Sequence, residues 1–190
     1  MKEFVEFELI ERLYFFELDR KQQLESNISF PTGAIVAAFG VLGFYFTHFK
    51  FGGETYKFGN VVEGVFLVSS AMSCLLLILS TYWCFQAAVG STYEYLPGSA
   101  TLRKYFDDLK IWHFQNSPKK LALNNAKSEF ETFLIESMAK CSQKNWNTNL
   151  VRSEELHRTK RFTVIGLVAL AICAFAYYVD FWYDPRIAIG

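Results

Sequence analysis

The chain has 190 residues, of which 52% are hydrophobic, 18% aromatic and 20% charged, a composition that excludes disorder. Nineteen basic and nineteen acidic residues cancel, which argues against a dedicated nucleic-acid binder. Four scattered cysteines with no Cys-x-x-Cys pair exclude a disulfide scaffold and an ordinary zinc site.

Residues 1–27 carry Phe4, Phe7, Ile10, Leu13 or Tyr14, and Leu24 at three- and four-residue steps, with glutamates between them. That spacing predicts an amphipathic helix. Its acidic balance suits a protein partner, such as the central domain or a neighbouring subunit, better than anionic lipid. No apolar h-region with a cleavage site is visible, so no signal peptide is expected. Asn27-Ile28-Ser29-Phe30-Pro31 reads as a break, with Ser29 as cap and Pro31 in the first turn of the next helix.

A transmembrane hairpin is expected over 28–93, with spans at about 28–49 and 64–90. Ser26–Phe49 is 24 residues without a formal charge, and Gly64–Tyr93 is 30. About 20 apolar residues cross a bilayer. A third span is expected over 162–183, where 18 uncharged residues lead to Asp180 and the interfacial aromatics Phe181, Trp182 and Tyr183. Residues 184–190 form a tail. Sixteen of the nineteen Lys and Arg residues lie before the first span or between the second and third. The positive-inside rule therefore places the N-terminus and the 94–161 segment in the cytoplasm.

The central segment 94–161 reads as helical. Pro97-Gly98 marks a turn and Ser99 caps a helix. Asn116-Ser117-Pro118 breaks it, with Ser117 as the next cap and Pro118 opening the following helix. The three asparagines of 145–149 predict a break or kink, and a last helix starts near Ser153 and runs into the third span. The fold class is an all-α membrane protein, with three transmembrane helices and a cytoplasmic helical domain.

Within the spans, Gly33, Ala37 and Gly40 form one small-residue face, and Gly166, Ala169, Cys173 and Ala176 another, suited to close helix packing. Ser69, Ser73 and Ser80 share one side of the second span, within about 40° of one another. They serve either interhelical hydrogen bonding or, as pore-lining candidates, a weakly polar lumen. No acidic or basic residue lies deep in a span, which weighs against an ion-coupled transporter.

One spacing suggests chemistry: Arg152-Ser153-Glu154-Glu155-Leu156-His157. An arginine followed by a histidine five residues on is the pattern of HEPN ribonucleases. In that chemistry the histidine moves the 2′-hydroxyl proton and the arginine stabilises the phosphorane-like transition state, without metal. Residues five apart in a regular helix point about 140° from each other. The pair converges more easily if Arg152 precedes a helix that Ser153 caps.

With this motif at the end of an all-helical segment, behind an acidic N-terminal helix and among three spans, the chain resembles the small membrane accessory protein, of the enhancing kind, of type VI-B CRISPR systems (the twenty-eighth Csx family). The resemblance implies a HEPN-like cytoplasmic domain and a multi-pass protein of the bacterial inner membrane. It also implies an antiviral role in which the chain assembles into a homo-oligomeric pore, octameric in the form suggested, and depolarises the membrane when an RNA-guided RNA nuclease is activated. It implies no cofactor, no metal and no DNA partner. Ser153 departs from the Asn, Asp or His usual after the arginine, and a HEPN site needs two copies to meet, so Arg152 and His157 are expected to be structural, with no enzymatic activity. The alternatives are a membrane-tethered HEPN ribonuclease and a SLATT-type nucleotide-responsive effector, against which the third span argues.

Overall fold

The computed structural model describes residues 2–49 and 59–183; the expected connection between the first two spans and the expected tail 184–190 lie outside the described residues. Among the described residues the chain is all helical, in four elements: α1 (Lys2–His48), α2 (Gly59–Val89), α3 (Ser99–Asn116) and α4 (Lys119–Tyr183). Three of them, α1, α2 and α4, contain stretches long and apolar enough to cross a membrane.

Three predicted boundaries are absent. Pro31 sits inside α1, which runs unbroken for 47 residues. Proline removes one backbone donor. The hydroxyls of Ser29 and Thr32 add bonds to the Ser26 and Ile28 carbonyls in the same turn, at 2.7 and 2.8 Å. The asparagines of 145–149 neither break nor end a helix, and Ser153 caps nothing: α4 is continuous over 65 residues from Lys119. Two caps also differ. Gly98, not Ser99, is the N-cap of α3, without a side-chain bond. Ser117 is the C-cap of α3, its N–H bonded to the His113 carbonyl, while the Pro118 carbonyl accepts the first bonds of α4.

The long helices persist because their buried positions recur every three and four residues. In α2, residues 66, 70, 73, 77, 80, 84 and 87 are all buried. In α4 the same alternation runs through 145, 149, 152, 156, 159, 163, 166, 170 and 173. This is the heptad spacing of coiled-coil seams. Many of these positions hold polar residues, among them Asn145, Asn149, Arg152, Thr159 and Thr163, all buried.

The chain divides into two compact units. The first joins Met1–Gln23 to Thr92–Val151, and the second joins Leu24–Ser91 to Arg152–Gly190. In the first, Tyr14 packs with Met138 and Cys141, flanked by Phe7, Ile10, Leu18, Leu96 and Leu134. The apolar face of the N-terminal helix thus rests on the central segment. In the second, the core is built from Ile35, Ala38 and Leu42 of α1, Phe66 and Leu77 of α2, and Leu170, Cys173 and Ala176 of α4.

Candidate functional site

Within the second unit, α2 and α4 run antiparallel and are joined at seven-residue intervals. Arg152 bonds the Ala87 carbonyl, Ser80 bonds the Thr159 carbonyl, and Ser73 bonds the Gly166 carbonyl, at 2.8, 2.9 and 3.0 Å. Ser80 also meets the Thr163 hydroxyl at 2.7 Å. Two helical turns separate each bond from the next, so all fall on one line. The two helices approach closely at Gly166. A Cβ there would lie 3.3 Å from Leu77.

Arg152 occupies the first of these levels and is 4% exposed. Its Nε donates to the carbonyl of Ala87, in the last turn of α2, where backbone acceptors have no intrahelical partner. A cation there also meets the negative end of the helix dipole. Its Nη1 lies 3.7 Å from Oε1 of Glu25 on α1. One guanidinium therefore ties three helices together. His157 is exposed, five residues further along the same unbroken helix. The structure does not bring the two motif residues together: the helix start that would let them converge does not exist, and the intervening 500° turns them apart.

Between them lies Glu155, which the sequence did not single out. Its Oε2 is buried without a hydrogen-bond partner. Burial pushes its carboxyl pKa up, against the opposing pull of Arg152 and Arg158. Arg158 faces outward, 4.6 Å from the centre of the Trp83 ring.

The three candidate serines differ. Ser73 and Ser80 are 0% exposed and their hydroxyls are engaged by α4, so neither lines a lumen in this chain. Ser69 is 8% exposed, bonds the Val65 and Phe66 carbonyls of its own helix, and borders an open apolar groove of about 550 Å³ with Val68, Met72, Ala169 and Ile172. The small-residue faces also divide. Gly166, Ala169, Cys173 and Ala176 are buried within the unit, whereas Gly33, Ala37 and Gly40 face outward.

The first unit has its own polar centre. The extended segment 91–98 is held by two asparagines of α4. Asn145 accepts from the Glu94 N–H and donates to the Glu94 carbonyl, both at 2.9 Å. Asn149 accepts from the Tyr93 hydroxyl at 2.6 Å and donates to the backbone and side-chain oxygens of Glu17 on α1, both at 2.8 Å. Lys144 bonds Glu94 at 2.5 Å, which holds that carboxyl below its ordinary pKa. On the α3–α4 side, buried His113 meets Glu129 at 2.9 Å. Among the described residues no group of three or more His, Cys, Asp or Glu side chains is placed to hold a metal ion.

No protein-family model, curated protein or solved structure matches this chain.

Proposed function

We propose that this protein is a non-catalytic membrane effector that self-associates in the bilayer and raises its permeability. The observation that carries the non-catalytic part is the engagement of Arg152 by the Ala87 carbonyl and Glu25, with His157 exposed on the turned-away side of α4. A guanidinium fixed in a buried helix junction is not presented to an RNA backbone. Self-association follows from the span count: three helices packed around a filled core enclose no water path of their own. The resemblance to the type VI-B accessory proteins supplies the biological setting, an antiviral response downstream of an RNA-guided RNA nuclease. In that reading the protein sits in the bacterial inner membrane, with the N-terminus and 94–161 in the cytoplasm, in keeping with the distribution of lysine and arginine.

The test is a membrane-potential dye in cells that carry the protein and the activated nuclease. The reading expects depolarisation that requires this chain and persists in His157→Ala. An unchanged potential, with the protein present in the membrane and the nuclease active, would contradict it.

A further inference from the structure

One side of the α2–α4 seam carries a cationic end and an apolar groove on a single line. At the cationic end, Arg158 of α4 lies 4.6 Å from the centre of the Trp83 ring of α2. Eleven residues on along α4 is Ala169, and eleven residues back along α2 is Met72. These two line the open apolar groove of about 550 Å³. Eleven residues make three full turns and about 20° more. Both walls of the groove therefore continue the faces on which Arg158 and Trp83 meet. The bonds of Ser80 to the Thr159 carbonyl and of Ser73 to the Gly166 carbonyl keep the two helices in step between these ends.

Charge and depth say what fits this line. Three of the four residues from Arg158 to Arg161 are basic, all three are exposed, and the next acid along α4 is Asp180. Facing them, α2 carries no formal charge from Gly64 onward. Arg161 stands one turn past Arg158, about 60° away, whereas Lys160 is turned about 160° from it. The Glu154 carboxylate lies 3.9 Å from Nη2 of Arg158, but both side chains are at least half exposed, so the pair is weak and an anion can replace it. Phosphate oxygens accept from two guanidiniums at once. Side chains on a helix lean toward its N-terminus, so both arginines lean away from the groove, toward a headgroup layer. Past Arg161, Ala169 and Ile172 of the groove lie about 12 to 17 Å further along α4. The hydrocarbon of one leaflet is about 15 Å deep. A lipid with its phosphate at the arginines thus brings its chain to the groove.

We infer that this side of the α2–α4 seam is a binding site for an anionic phospholipid, its phosphate held by Arg158 and Arg161 and one acyl chain laid over Met72 and Ala169. The inference rests on the proposed membrane setting and gives it a lipid preference. A phosphatidylglycerol headgroup carries one net negative charge to this cluster, whereas a phosphatidylcholine headgroup brings a choline cation along with its phosphate.

Native mass spectrometry of the full chain released from detergent micelles tests it, with palmitoyl-oleoyl phosphatidylglycerol or palmitoyl-oleoyl phosphatidylcholine added. Wild type should retain phosphatidylglycerol at a concentration about tenfold lower than phosphatidylcholine. Arg158→Gln/Arg161→Gln should erase that preference, and Lys160→Gln, on the other side of the helix, should keep it. Met72→Trp, at a half-exposed groove position, should lower retention of phosphatidylglycerol. All of these variants should keep the wild-type helical spectrum, because the positions are on the surface. Glycerol 3-phosphate, the headgroup chemistry without chains, should not displace the lipid at equal concentration; displacement would show a site for free phosphate and overturn the lipid assignment. Equal retention of the two lipids by wild type, a preference that survives in the double arginine variant, or an equal loss in Lys160→Gln would overturn the inference and leave the membrane setting standing. A chain recovered in the soluble fraction without detergent would remove both.

Discussion

Arg152 and His157 stand five residues apart on one helix and do different work. Removing the Arg152 side chain leaves the Ala87 carbonyl without its charged donor in a buried junction. Bonds to charged groups contribute about 1.5–3 kcal/mol, so Arg152→Ala should lower stability in detergent by an amount in that range. His157→Ala, on an exposed surface, should stay within about 0.5 kcal/mol of wild type. Thermal unfolding followed by circular dichroism separates the two; equal losses would show that the residues form one network. Glu155 carries a pH signature. Its raised pKa means that, above the ordinary value of 4.5, the folded chain still holds a proton the unfolded chain has lost. Stability is therefore lost as pH rises from that value through the raised one. Glu155→Gln cannot ionise, so its melting temperature should match wild type below the ordinary carboxyl range, exceed it as pH rises above that range, and hold a constant excess once pH passes the raised value. A difference independent of pH would contradict the assignment.

The helices themselves show where sequence reading succeeds and where it stops. Charge-free length identified the three helices long and apolar enough to cross a membrane, and the periodicity of Phe7, Ile10 and Tyr14 identified the face of α1 that packs in the first unit. The internal boundaries failed for a common reason. Pro31 and the asparagines of 145–149 have poor local helix propensity, and propensity is overridden when a long helix is held by tertiary contacts. Asn145 and Asn149 bond the 91–98 segment and Glu17, partners far away in the chain. The recoverable signal was spacing: polar residues at 145, 149, 152, 159 and 163 fall on the same four–three line as Leu156 and Leu170. Polar identity at those positions hid a buried seam. The motif at 152–157 was equally visible as a string, but its meaning depends on Ala87, 65 residues away. These bonds make two predictions. Asn145→Leu strands the N–H and carbonyl of Glu94, and at about 1–3 kcal/mol for each unsatisfied group should speed amide exchange across 92–96. Ser80→Ala, in the proposed second span, should cost less, about 0.6 to 1.7 kcal/mol; a larger loss in reversible unfolding would mean that the Ser80–Thr159–Thr163 cluster acts cooperatively.

At the scale of the whole molecule, the two units assign different tasks to the same long helices. The second unit satisfies its polar groups line by line along α2 and α4 and leaves apolar faces outward, the arrangement that the proposed membrane setting requires. The first gathers charged and aromatic residues around an extended connector. The N-terminal segment and 92–151 belong to one unit, and the proposed topology puts both on the same side of the membrane. Single cysteines at positions 53 and 119, in a cysteine-free background, report the orientation. An impermeant thiol reagent on intact cells should label position 53 and not 119, and the reverse pattern would overturn it. The central claim, that Arg152 holds a helix junction and that Arg152 and His157 do not form a ribonuclease site, is tested most directly by RNA cleavage on purified protein whose oligomer size is measured in the same preparation. Wild type should cleave no RNA between pH 6 and 8. Cleavage by wild type that His157→Ala abolishes, with oligomer size unchanged, would contradict the account.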